Sequence, residues 1–249
     1  MTRRIWLAAM AVWSLAWSAQ AAEVSVAVAA NFTAPMQKIA ARFEQDTGHK
    51  VTLAFGSTGR FYAQIRNGAP FEVLLAADDE TPARIEREGL GVSGSSYTYA
   101  IGKLVLWSKQ PTLVDAKGLV LQSASFDKIA VADPKLAPYG AAAMETMAKL
   151  GVLDALRPRF VQGENIAQTH QFVATQNAAL GFVAMSQVYA DGRLTEGSAW
   201  PVPADLHTPI RQDAVLLTKG QANPAAVALL QYLKGDKARA IIRAYGYDH

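Results

Sequence analysis

The sequence predicts an α/β protein of two lobes, each a mainly parallel sheet flanked by helices, with two crossover strands forming the hinge between them. Three observations carry that expectation. Short apolar runs alternate with helix-period segments from residue 24 onward. A long strand-like stretch at 97–107 breaks the alternation, and a second block resumes it before a return strand and two terminal helices.

In the first block, 24–29 is an apolar strand, and Met36, Ile39, Ala40 and Phe43 follow at the i, i+3, i+4, i+7 spacing of one helix face. A strand over 51–55 leads to Phe61, Tyr62 and Ile65 on a second helix, giving a βαβα opening. Residues 73–76 make a third strand. Thr81-Pro82 opens a third helix, with threonine as N-cap and proline at the first helical position, and this helix ends near Gly89. Strands apolar along their whole length belong to parallel sheets covered on both faces.

The stretch 97–107, interrupted at Gly102, reads as a crossover. Beyond it, 129–132 is a strand, 141–150 a helix closed by Gly151, 160–161 a short strand, 166–175 a helix and 180–185 a strand. Residues 213–217 form the return strand, and 224–233 and 237–245 are helices packing on the first lobe. The expected boundaries are 1–22 for a signal peptide, 23–101 for the first part of lobe 1, 102–214 for lobe 2 and 215–249 for the C-terminal part of lobe 1. No internal repeat, low-complexity tract or Pro/Gly/Ser-rich linker interrupts this order.

Arg3 and Arg4 precede an apolar run over 5–17 and small residues at Ala19, Ala21 and Ala22, the pattern of a secretory signal. The run is shorter than the roughly 20 apolar residues a membrane span needs. Cleavage near Ala21 or Ala22 and a periplasmic mature protein are therefore expected. The absence of cysteine excludes disulfides, thiolate metal sites and a lipid anchored at a processed cysteine. The formal charge of +3 includes Arg3 and Arg4, so the mature chain carries +1. With no basic run there is no case for a nucleic-acid partner, and a monomer is expected.

In an open α/β sheet the ligand crevice lies outside the carboxyl ends of the strands, so the strand-to-helix turns are where function belongs. Four turns are alike in small or capping residues: Ala30-Asn31-Phe32-Thr33, Gly56-Ser57-Thr58-Gly59, Ala137-Pro138-Tyr139-Gly140 and Gly163-Glu164-Asn165-Ile166. A helix N-terminus offers unpaired N–H groups and about half a positive charge, which suits an anion without lysine or arginine. Any one such turn is ordinarily just a cap. Two from each lobe can enclose an anion. Asn31 and Thr58 can add side-chain donors, while Tyr139 and Ile166 serve through the main chain.

The segments Val28-Ala29-Ala30-Asn31-Phe32-Thr33, Phe55-Gly56-Ser57-Thr58-Gly59, Asn67-Gly68-Ala69-Pro70, Ala76-Ala77-Asp78 and Tyr232-Leu233-Lys234-Gly235 occur in this order, joined by Ala132-Asp133-Pro134, Leu180-Gly181-Phe182-Val183 and Tyr245-Gly246-Tyr247. In them the chain resembles the periplasmic molybdate-binding proteins of ABC transporters over nearly its whole mature length. The resemblance implies a type II-like periplasmic binding protein fold. It further implies molybdate, and with it tungstate, held as an oxyanion between the lobes by Asn31, Thr58, Tyr139 and Ile166, and a membrane permease as partner. Ala30, Ser57 and Arg60 are secondary candidates. No cofactor and no metal cation is implied. Ala184 stands where some members carry a tyrosine hydroxyl, for which Asn31 can compensate, and Glu72 stands where aspartate is common.

A site made only of donors has no acceptor for a ligand proton, so it favours a fully ionised oxyanion and rejects phosphate at neutral pH. Choice among molybdate, tungstate, chromate and sulfate then rests on cavity size. Rival readings remain. A binding protein for sulfate is one, and another is an amino-acid receptor that uses Arg60 and Asp78 for the carboxylate and amine. A serine hydrolase centred on Ser57 would need a glycine where Phe55 stands. Asp78-Asp79 reads as capping rather than as a metal pair, and His49, His170, His207 and His249 lack ligand spacing.

Overall fold

The computed structural model describes residues 21–123 and 125–248. Apart from Ala21 and Ala22, the expected signal peptide lies outside the described residues, as does His249. The first half runs β1 (Glu23–Ala29), α1 (Thr33–Thr47), β2 (Lys50–Gly56), α2 (Thr58–Arg66), β3 (Val73–Leu75), α3 (Glu80–Arg87) and β4 (Tyr97–Gly102). The second runs β5 (Leu104–Ser108), α4 (Val120–Ser123), β6 (Ile129–Ala132), α5 (Pro138–Lys149), α6 (Leu153–Leu156), β7 (Phe160–Gly163), α7 (Ile166–Ala174), β8 (Leu180–Ala184) and α8 (Met185–Val188). A small hairpin of β9 (Tyr189–Ala190) and β10 (Arg193–Leu194), then β11 (Ser198–Pro201), lead to the return strand β12 (Ile210–Leu216), α9 (Pro224–Leu233) and α10 (Asp236–Ala244).

Among the described residues the strands form two five-stranded sheets, ordered β2-β1-β3-β12-β4 and β11-β5-β8-β6-β7, beside the β9–β10 hairpin. In the first sheet β1 pairs in parallel with β2 and β3, while β12 runs antiparallel to both β3 and β4. The second matches it: β6 is parallel to β7 and β8, and β5 is antiparallel to β8 and β11. This is the two-lobed periplasmic binding protein fold. The sheets are more mixed than the expectation, because the strands that cross between them enter against the parallel trio.

Each sheet is buried on both faces. In the first, Val26, Val28, Phe32, Met36, Ile39 and Phe43 form one core, with Leu229 and Ile242 from the terminal helices, and Ala27, Phe61, Leu74 and Ile85 form the other. In the second, Leu104, Val131, Tyr139, Met147 and Phe182 pack on one face and Val105, Trp107, Val173 and Val183 on the other. Each fully buried Leu, Val or Phe contributes about 1.5–3 kcal/mol. The sheets therefore act as stiff platforms for the turns at their ends.

Three local expectations need correction. The helix placed at Thr81-Pro82 starts at Glu80, because Asp78 Oδ1 accepts from the Thr81 amide at 2.7 Å and performs the capping. The helix placed at 141–150 starts three residues sooner, with Pro138 at its first position. The return strand begins at Ile210, which pairs with Gly102, so the chain is back in the first sheet before the expected boundary after Ala214. Ile210, Gln212 and Ala214 all face inward, a period-2 pattern that Arg211 and Gln212 disguise as a polar loop.

Candidate anion-binding site

Four of the strand ends point at one place. β1 ends at Ala29 and turns through the short 3₁₀ segment Ala30–Phe32 into α1, and β2 ends at Gly56 and passes through Ser57 into α2. From the other sheet come the turns into α5 and α7. They enclose a small cavity lined by Ala30, Asn31, Ser57, Thr58, Tyr139 and Ile166 among others. All six are buried, none more than 6% exposed. Arg60, the remaining candidate, does not line it.

The capping pattern determines which amides are left for a ligand. In α7, Asn165 Oδ1 accepts from Ala167 N and Gln168 N at 3.0 Å each, so the Ile166 amide is the one the cap does not use. In α5, Pro138 has no N–H and Gly140 N donates to Ala137 O at 2.8 Å, which singles out the Tyr139 amide. In α2, Gly59 N donates across the cleft to Leu136 O at 3.0 Å, and Thr58 supplies the first amide of its helix. The turn after β1 has no side-chain cap, so the amides of Ala30 and Asn31 open it. First-turn amides have no partner inside their own helix, and the aligned dipoles add positive potential there.

Two hydroxyls add to these donors. Thr58 Oγ1 accepts from Ala77 N at 2.9 Å, which leaves its hydrogen for a further acceptor. Ser57 Oγ is buried and has no hydrogen-bond partner among the described residues. Leaving a buried hydroxyl unpaired costs about 1–3 kcal/mol, so it is a group in want of an acceptor. Ser57 was only a secondary candidate by sequence. Its signal was its place between Gly56 and Thr58, where serine also reads as an ordinary cap.

Asn31 does not serve as expected. Its Nδ2 donates to Gln212 Oε1 at 2.8 Å and to Tyr247 OH at 2.9 Å, which uses both amide hydrogens inside the protein. What it can offer an anion is its main-chain N–H. It therefore does not make up for a tyrosine hydroxyl missing at Ala184. Tyr139 likewise faces away through its phenol, which accepts from Gln212 Nε2 at 3.1 Å, while Tyr99 OH donates to Gln212 Oε1 at 3.0 Å. Burial pushes the Tyr99 and Tyr139 phenols well above their ordinary pKa and that of Tyr247 up to about 12. The whole network is thus uncharged at neutral pH.

A family model described as bacterial extracellular solute-binding protein matches residues 24–248. Among curated relatives, the molybdate-binding protein ModA of Azotobacter vinelandii is 64% identical over 94% of this chain and 92% of its own length. The chain belongs to the molybdate-binding protein family of solute-binding proteins. The molybdate-binding protein ModA of Rhodobacter capsulatus is 54% identical over 95% of this chain and 92% of that one. Among solved structures, the Azotobacter vinelandii periplasmic molybdate-binding protein superposes with a TM-score of 0.87 at 42% identity, covering 91% of this chain and 99% of that one. The relatives are solute carriers, not enzymes.

A solute-binding protein must bring its lobes together, and here they meet at two levels. At the cleft floor, Asn31 O accepts from Ser186 Oγ and from Tyr247 OH, both at 2.8 Å, so the first anion turn is tied to the second sheet and to the C-terminal segment at once. At the mouth, Arg60 makes an ion pair with Glu164 on the opposite lobe, which removes its guanidinium from the anion-binding role considered for it. Asp78 lines the outer cleft between these levels, and burial raises its carboxyl pKa. Gln212, Tyr247 and Ser186 were missed by sequence reasoning. Gln212 left a signal as a polar residue at an inward position of a strand, and Tyr247 entered only as part of the closing Tyr245-Gly246-Tyr247 segment.

Proposed function

We propose that the protein captures molybdate, and with it tungstate, in the cavity between its two sheets and delivers it to an ABC permease in the membrane. The ligand contacts are the main-chain N–H groups of Ala30, Asn31, Thr58, Tyr139 and Ile166, with the hydroxyls of Ser57 and Thr58. The observation that carries this reading is the orphaned Ser57 hydroxyl, buried in the cavity that the first-turn residues Thr58, Tyr139 and Ile166 also line. The names of the close relatives support molybdate as the anion.

The chemistry explains the choice of a dianion. The first-turn amides are donors only, and a fully ionised oxyanion, which accepts at every oxygen, suits them better than a ligand that keeps a proton. No lysine or arginine side chain is needed, because helix ends supply the positive potential. The two sheets act as lobes hinged at the crossovers, and an anion bridging helix ends of both binds the closed state better than the open one. A permease then reads the closed shape. The residues up to Ala22 are a signal peptide removed on export to the periplasm, where the chain acts as a monomer.

Titration calorimetry of the purified protein at neutral pH tests this with molybdate, tungstate, sulfate and phosphate. Molybdate and tungstate should bind tightly at one site per chain, sulfate far more weakly and phosphate not measurably. Sulfate binding equal to or tighter than molybdate would overturn the assignment.

A further inference from the structure

The side chain of Tyr139 spans the two functions of its turn. Tyr139 lines the cavity, while its phenol rests at 3.1 Å from Gln212 Nε2, on β12 of the opposite sheet. Gln212 Oε1 in turn accepts from Asn31 Nδ2 at 2.8 Å, on the first anion turn of that same sheet. Gln212 is 0% and Tyr139 1% exposed, so this chain of contacts is out of water. It runs from one set of anion donors to the other without passing through the anion.

The crossover strand holds the contact in place from a third side. A Cβ added at Gly102 would lie 2.2 Å from the Tyr139 hydroxyl and 2.5 Å from Gln212 Nε2. Gly102 has no side chain at the one point where the two meet. The Arg60–Glu164 pair cannot set a distance in this way, since its long side chains are 57% and 38% exposed. Rigid, close-packed groups fix a separation, and solvated flexible ones do not.

We propose that Gln212, which does not line the anion cavity, is the spacer that sets the separation of the lobes at closure and so selects among tetrahedral dianions by size. The proposal rests on the reading of the site as a molybdate cavity. Molybdate and sulfate carry the same charge and shape but differ in bond length, so a donor cage matched to one is mismatched to the other. Gln212 is thus a positioning residue, acting through Asn31 and Tyr139. Shortening it lets the lobes settle closer and favours the smaller anion, and wedging the contact apart does the reverse.

The test is the ratio of molybdate to sulfate affinity, measured by calorimetry on the whole protein and two variants. Gln212→Asn should lower the ratio on the order of tenfold, the scale on which a methylene of misfit is read in a fitted pocket. Gly102→Ala, which pushes a methyl group between Tyr139 and Gln212, should move the ratio the other way, with sulfate binding lost more than molybdate binding. A ratio unchanged in both variants, even with both affinities lowered together, would overturn the proposal, as would a shift in the same direction in both. If Gln212→Asn fails to fold, the direction of the shift in Gly102→Ala decides alone. Failure of the unmodified protein to bind molybdate would overturn the underlying reading and the proposal with it, and the first titration shows that before either variant is tested.

Discussion

At the floor of the cleft the two lobes meet through neutral groups shielded from water, Asn31, Gln212, Tyr139, Ser186 and Tyr247, whereas nearer the mouth they meet through the main-chain bond from Gly59 N to Leu136 O and the Arg60–Glu164 ion pair, whose side chains are 57% and 38% exposed. The difference shows what an anion site can tolerate around it. A fixed cation at the floor would attract any anion, protonated or not, and a carboxylate would repel the ligand. Neutral hydrogen bonds hold the turns in place and leave the potential to the helix ends. The exposed pair is screened by salt and sets no geometry.

Substitutions at the two levels should therefore differ in size and in kind. The largest effect belongs to Thr58→Ala, which removes a proposed ligand donor and also the acceptor of the Ala77 amide. It should weaken molybdate binding by about 1–3 kcal/mol in calorimetry and lower the melting temperature as well. An unchanged dissociation constant would remove Thr58 from the site.

Ser57→Ala sharpens the comparison because its two effects separate. It should weaken binding within that same range of about 1–3 kcal/mol, yet leave the ligand-free melting temperature unchanged or higher, since the hydroxyl it deletes is buried and unpaired. A large fall in ligand-free stability would mean that the hydroxyl has a structural partner instead.

The smallest effect belongs to Arg60→Ala. Affinity should fall by no more than about fivefold, and the difference should vanish in molar salt. A larger, salt-independent loss would place Arg60 against the anion and break the contrast between floor and mouth.

The fold was legible in the sequence because two parallel blocks of apolar strands and amphipathic helices leave strong periodic signals, as in Met36, Ile39 and Phe43 on α1. Mixed sheet edges were less so. Arg211 and Gln212 make the start of β12 look polar, yet Gln212 is buried because its partner is a tyrosine from the other lobe, a contact no local pattern encodes. The same limit applied within the site. Helix starts announce free amides through their capping residues, so the turns themselves could be named. Whether a side chain at a turn faces inward or outward depends on distant partners: Tyr247, 216 residues from Asn31, takes the amide hydrogen that the sequence assigns to the anion. Ser57 showed the opposite case, a residue that reads as a cap but has no bond to make within the protein.

The claim on which the rest depends is that donors from both lobes converge on one anion. A crystal structure of the protein grown with molybdate, with diffraction recorded at the molybdenum absorption edge, tests it directly. The account predicts a single anomalous peak in the cavity between Ser57 and Thr58 on one side and Tyr139 and Ile166 on the other, with oxygens facing their amide and hydroxyl groups. A peak in the outer cleft beside Arg84 and Lys135, or at any site built from lysine and arginine side chains, would contradict it.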